Sequence, residues 1–320
     1  MVKYIIKRVL LSFFTFFVII SLCFLFIKLL PITDADVFGQ DASLIEARRK
    51  MLGYYDPLPK QYWLFLTKTL IGMDWGVGEN IYTGKDVWDT FISKLPPTII
   101  VNLYSMFLSV PLGLVFGIFA ALKKNKWQDH TISTLVMVVV SVPSYVYAFL
   151  VQYFLCFKLG WFPFLMGNGT DYLSWTMFVS LVPAILSLSF GTIAGLTRYT
   201  RAELTEVLTN DFMLLARTKG LTKGQATRRH ALKNAMVPIF PSIISMFIGI
   251  LSGSLIIESI FGIPGVGSLY VNAITGKAGN PDYNFFLLDS AFYTLIGLLS
   301  SIVIDLSYGF IDPRIRMGEK

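Results

Sequence analysis

The sequence predicts an all-α membrane protein that crosses the bilayer six times, on three observations. Of 320 residues, 54% are apolar and only 15% charged, a balance that a soluble core of this length does not need. The apolar residues gather in six runs, at about 9–30, 98–122, 131–156, 176–197, 236–258 and 285–308, each near the ~20 residues that a spanning helix requires. None alternates with period 2. Each backbone group in lipid must be bonded within its own segment, so the runs read as helices.

The first run follows Lys3, Lys7 and Arg8, but its apolar stretch from Val9 to Ile27 is longer than a signal-peptide core. Pro31-Ile32-Thr33-Asp34 offers no small-x-small cleavage site, so a retained helix is expected. With that start inside, the connection 123–130 and the segment 198–235 fall on the same side. The latter carries eight Lys or Arg against three Asp or Glu, net +5, whereas 31–97 carries seven against nine, net −2. The excess of cations near helix ends sets an orientation with both termini cytoplasmic, in a cell membrane. The pI near 9.2 then reports topology and anionic lipid, and nucleic acid is not an expected partner. Cys23 and Cys156 lie within expected spans, so neither a disulfide framework nor a cysteine metal site is expected.

Three parts follow: residues 1–30 as tail and first span, 31–97 as an external loop, and 98–320 as a five-helix core. In the loop, Ser43 to Glu46 has the pattern of a capping box and Gly53 that of a helix stop. A second short helix is expected after Pro59, with Tyr62, Trp63, Phe65, Leu66 and Leu70 at helical spacing. An anchor lying on the lipid surface is the plainer reading, and a landing surface for an external protein the sharper one. Within the spans, Pro111, Gly113, Gly117, Pro143, Pro183, Gly191 and Gly195 allow kinks and close helix approach. Ionisable residues at membrane depth are few: Asp289, Asp305 and Glu258. Their scarcity argues against a proton- or sodium-coupled carrier. Asp305 is expected to meet a cation or a helix end.

The segment 198–235 is too long for a tight turn and has its own helix signals. Leu204, Val207, Leu208, Phe212, Leu215 and Ala216 recur at helical spacing, and Lys219-Gly220 closes that helix with a cation and a left-handed glycine. Thr222 to Gln225 is a capping-box pattern opening a second basic helix, Ala226 to Ala235, ahead of Pro238. Such a hairpin, with Leu214, Leu215 and Leu221 near its corner, is a knob suited to a groove on another protein. An alternative is a positive-inside anchor in which the same cations touch lipid headgroups. Gly262 to Gly267 lacks the Lys-Ser/Thr ending of a phosphate loop, and an outer re-entrant turn is expected there. Glu258 beside it either shapes a translocation path or sits in the wet interface. No catalytic set of carboxylates, metal ligands or Ser/His/Asp stands out, and no cofactor or metal is expected.

Asp211-Phe212, Leu215 to Leu221, His230 to Ala235 and Pro238 resemble the EAA loop of the permease subunits of binding-protein-dependent ABC importers, in the form of the first of the paired permeases of dipeptide, oligopeptide and nickel systems. The similarity runs through Tyr4 to Arg8, Leu29 to Pro31, Tyr55 to Tyr62, Pro96 to Thr98, Ser141 to Ser144, Leu159 to Pro163, Glu258 to Gly267, Asp305-Leu306 and Asp312 to Arg316. It departs at Ile32-Thr33-Asp34, where the family has Gly-Asp-Pro, and at Leu214-Leu215-Ala216 in place of Glu-Ala-Ala.

The resemblance implies a type I importer permease fold and a coupling helix at about 211–225 that docks on a cytoplasmic ATPase. Asp211, Leu215, Ala216, Arg217, Lys219, Gly220 and Leu221 would carry it. It implies two ATPase subunits, a second homologous permease and an external solute-binding lipoprotein as partners, with dipeptides or oligopeptides as cargo. A nickel or metal-chelate importer is the alternative within the family, and an ion-coupled carrier the alternative outside it. The sequence holds no G-x-x-x-x-G-K-[ST], so nucleotide hydrolysis would belong to a partner and the chain would be a non-catalytic subunit.

Overall fold

The computed structural model describes residues 2–29, 47, 50, 51, 53–276 and 280–311; among them the backbone is helical apart from connecting turns and isolated bridges, such as that of Val77 to Asp86. Helix α1 spans Val2–Leu29. Helix α2, Leu58–Leu64, widens into a π-helical turn at Phe65–Ile71. Helix α3, Val87–Leu122, is started by Asp86, whose carboxylate accepts the Asp89 N–H at 2.9 Å. Helix α4, Trp127–Ser141, and α5, Ser144–Val151 with its π extension Gln152–Lys158, follow. Next come α6, Trp175–Thr209, α7, Asp211–Thr218, and α8, Lys223–Ala226, which passes through a π turn into α9, Leu232–Gly249. Two short helices, α10 (Leu255–Ile260) and α11 (Val266–Thr275), precede α12, Tyr283–Ile311.

Five helical stretches are long and apolar enough to cross a membrane, and six do so when α4 and α5 with its extension count as one bent span. The run expected as a single helix over 131–156 is thus two helices meeting at 101°. Pro143 is the cause: it has no N–H to donate and pushes Val142 into an extended conformation, φ −93 and ψ 127.

The centre of the bundle is the α3–α6 pair. Small residues allow this approach: a Cβ on Gly113 would lie 2.9 Å from the Leu196 Cβ, and one on Gly117 2.8 Å from the Thr197 carbonyl oxygen. Hydroxyls fill the seam. Thr197 donates to the Gly113 carbonyl at 3.2 Å, and Ser105 and Ser189 pair at 3.0 Å. Helix α12 packs between α1 and α9, with Ser245 and Ser300 joined at 2.7 Å.

Helix α1 is pinned at both ends by charge. Asp305 meets a cation, as expected, in Arg8 at 3.0 Å. At the other end the Lys28 ammonium lies 4.5 Å from the ring centres of both Tyr54 and Tyr283, a cation–π cage. Residues 53–86 form a cap beside this end, and Tyr54 donates to Glu79 within it. The capping-box residues 43–46 lie outside the described residues. In α2 and its π turn, Phe65 is buried against Phe24, and Tyr62, Leu66 and Leu70 pack on the same cluster, while Trp63 points outward. One face of this helix therefore belongs to the core.

Candidate functional site

At 35 residues, α6 is about 52 Å long, well beyond the ~30 Å hydrocarbon layer. The helix is therefore longer than the layer, and its C-terminal end carries the basic segment that begins at Arg198. The periodicity from Leu204 to Ala216 reads as one helix, but the structure breaks it at Asn210. That residue is extended, φ −72 and ψ 148, and separates α6 from α7. The same apolar residues serve both helices because each turns its apolar face to a shared cluster: Ala121, Leu204, Met213, Ala216, Ala226, Ala231 and Ala235.

The corner after α7 closes as a Schellman motif. The Gly220 N–H donates to the Arg217 carbonyl at 3.0 Å and the Leu221 N–H to the Ala216 carbonyl at 3.3 Å. Gly220 has φ +90, where a side chain is strained, although a Cβ there would meet nothing within 4 Å. Thr222 and Gln225 then form the full capping box, with bonds of 3.3 and 3.0 Å. The basic helix starts at Lys223, three residues ahead of the expected start.

Of the residues singled out in the sequence, Asp211, Leu215, Ala216, Arg217, Lys219, Gly220 and Leu221 share this one corner. Ala216 is buried in the alanine-rich cluster and Leu221 packs at its edge. Asp211, Arg217, Lys219 and Gly220 are exposed. Leu214 and Leu215 present 64% and 56% of their surface. Two exposed leucines beside the cations Arg217, Lys219 and Lys223, on a rigidly capped turn, make a surface that a complementary groove can grip without reshaping it.

Glu258 stands apart from this corner. It lies on α10, 1% exposed, in a helix–turn–helix made by α10 and α11 where a re-entrant turn is expected. The run expected to continue to 258 breaks at Gly253, φ +64 and ψ −174. One carboxylate oxygen accepts from the Thr98 hydroxyl at 2.8 Å and the other from the Ser268 N–H at 2.9 Å. Thr98 in turn accepts the Val266 N–H at 2.9 Å. A Cβ on Gly265 would lie 2.6 Å from the Glu258 carboxyl carbon, and one on Gly267 2.9 Å from its oxygen. The chain closes around this carboxylate.

Two charges that enter the sequence reading only as part of a balance prove to be paired. Arg201 on α6 grips Asp129 on α4 with two bonds of 2.5 and 2.7 Å, and Asp129 is 1% exposed. The partners are 72 residues apart, so no local spacing could have joined them. Among the described residues, no group of three or more His, Cys, Asp or Glu is placed to hold a metal ion.

Residues 113–317 match the family described as binding-protein-dependent transport system inner membrane component, and residues 1–102 match its N-terminal companion. The chain belongs to this family. A dipeptide transport system permease protein, DppB, of Lactococcus lactis subsp. cremoris is 32% identical over 99% of this chain and 100% of its own length. A glutathione transport system permease protein, GsiC, of Escherichia coli K12 is 32% identical over 99% of both. Among solved structures, an amino acid ABC transporter matches 69% of this chain and 94% of its own, with TM-score 0.51 and 20% identity. The MetNI methionine ABC transporter, in inward-facing conformations, matches 70% and 95% with TM-score 0.51 and 16% identity. These two likenesses bear on the fold alone. This permease is thus a multi-pass transport component of a binding-protein-dependent ABC importer, with a permease fold.

Proposed function

We propose that this chain forms half of the translocation pathway of an importer that takes up short peptides, and that the 211–221 corner couples it to ATP hydrolysis. In this reading the basic end faces the cytoplasm with both termini, and Leu214 and Leu215 seat in a cleft of an ATPase subunit. The chain itself is non-catalytic. It works with two ATPase subunits, a second homologous permease and an external solute-binding lipoprotein. The division into residues 1–30, 31–97 and 98–320 belongs to the same reading, the last part being the moving core. Closure of the ATPases on nucleotide pulls the corner, and the permease pair alternates between inward and outward openings as rigid bodies.

The observation that carries this is the pair of exposed leucines on a helix whose opposite face, Met213 and Ala216, is locked into the chain's own core. A surface that is apolar outside the hydrocarbon layer and rigid within calls for a protein partner. Peptide cargo is supported by two relatives named for dipeptide and glutathione transport; neither name speaks of a metal chelate. Glu258 holds the α10–α11 turn in this reading and shapes the path through that turn. The test is Gly220→Val with the full set of subunits. Normal membrane insertion with loss of ATPase co-purification and of dipeptide uptake is expected; unchanged uptake would sink the assignment.

A further inference from the structure

Any motion imposed on α7 must reach the rest of the bundle through a limited set of connections. Met213 and Ala216 press on the alanine-rich cluster, which contains Leu204 of α6 and Ala121 of α3. That route drives the central α3–α6 pair, but none of its residues lies on α4 or α5. Farther along, α5 packs on α6 through Ala148, in one cluster with Leu181, Ala184 and Ile185, and through Tyr147 against Phe190, but near the corner the tie from α6 to the start of α4 is polar. Arg201 is nine residues ahead of the Asn210 break and holds both oxygens of Asp129, at 2.5 and 2.7 Å. Asp129 is itself tied into the start of α4: it accepts the Asn125 N–H at 3.0 Å and the Ser133 hydroxyl at 3.3 Å. A bidentate guanidinium–carboxylate pair fixes angle as well as distance, so it transmits rotation where a single contact would pivot. Beyond it, α4 leads to the 101° bend at Pro143 and to α5, a joint at which small rotations at one end become displacements at the other.

We infer that Arg201 and Asp129 are a positioning pair that makes the bent α4–α5 unit move with α6 when the α7 corner is pulled. The inference rests on the coupling role proposed for that corner. Without the pair, the corner would still bind its ATPases and shift α3 and α6, while α4–α5 would follow only through the apolar packing of α5 and lag behind.

The test uses the complete transporter, with Cys23 and Cys156 replaced by Ser and spin labels at Phe149→Cys on α5 and Leu299→Cys on α12, both exposed positions. The label distance is measured with and without ATP and vanadate. In the otherwise wild-type chain the distance changes with nucleotide; in Arg201→Met the change is sharply reduced while the ATPases stay bound and hydrolyse ATP. Arg201→Lys, which keeps the charge and loses the fork, retains part of the change. Asp129→Asn keeps the side-chain volume and behaves as Arg201→Met.

A nucleotide-dependent change that persists undiminished in Arg201→Met, or that is absent from the otherwise wild-type chain, overturns the inference. So does failure of all three variants to assemble, which assigns the pair a purely structural role. Gly220→Val separates this from the parent reading: ATPases retained by that variant mean the corner itself was misassigned.

Discussion

Thr98 and Glu258, 160 residues apart, share a buried hydrogen bond of 2.8 Å that fastens the α10–α11 turn to α3. Glu258 only accepts in this arrangement, from Thr98 and from the Ser268 N–H. Glu258→Gln keeps the shape but turns an NH2 toward one of these donors. Leaving a buried group unsatisfied costs about 1–3 kcal/mol, so thermal unfolding of the purified chain in detergent should fall measurably. Gln with the wild-type Tm would show that the pairing contributes nothing.

The same turn gives a steric prediction. A Cβ on Gly265 meets the Glu258 carboxyl carbon at 2.6 Å, and the neighbours that would have to give way are the Thr98 hydroxyl and the fully engaged carboxylate it is bonded to. Overpacking of this kind costs about 1–3 kcal/mol. Gly265→Ala should therefore destabilise the chain, whereas Gly224→Ala, where a Cβ meets nothing within 4 Å, should leave Tm unchanged. Equal effects of the two would count against the packing described.

Asp282 fastens the 53–86 cap. It is 0% exposed, and one oxygen accepts three successive N–H groups, of Glu79, Asn80 and Ile81, at 2.8, 2.8 and 3.0 Å. Such a nest of amides favours a negative charge. Asp282→Ala removes the acceptor and should free the loop between Asp74 and Asp86, read as faster cleavage there in limited proteolysis. Asp282→Asn, which still offers one acceptor oxygen, should be intermediate. Protection equal to wild type in Asp282→Ala would refute the anchoring role.

Asp289 is the opposite case. It is 0% exposed within α12, and neither of its oxygens has a hydrogen-bond partner among the described residues. Burying a polar group without a partner is unfavourable by about 1–3 kcal/mol on protein scales, so Asp289→Leu, which keeps the branched shape and replaces the two oxygens with methyls, should leave stability equal or raise it. If instead the variant folds at wild-type yield and uptake is lost, the carboxyl serves transport and the structural account of it is wrong.

Much of the corner was legible in the sequence. The Thr222–Gln225 box and the Gly220 stop are local patterns, and their hydrogen bonds form within three to five residues of chain. The break at Asn210 was not legible, because apolar periodicity continues through it when both helices face one cluster. The 101° bend at Pro143 was hidden in the same way, by a run apolar throughout. The Thr98–Glu258, Arg201–Asp129 and Asp282–Glu79 pairings join residues 160, 72 and 203 positions apart. Charge and polarity mark such residues as needing partners, but only the fold says which partners they find.

The central claim is that the α7 corner seats in an ATPase, and a photo-crosslinker at Leu215 in the assembled, transporting complex tests it most directly. A second crosslinker at Phe157, exposed on the α5 extension, is the control. The account predicts an ATPase adduct from position 215 that is lost in the Gly220→Val background, and none from position 157. An active complex in which position 215 yields no ATPase adduct, or yields one only with the second permease, would contradict it.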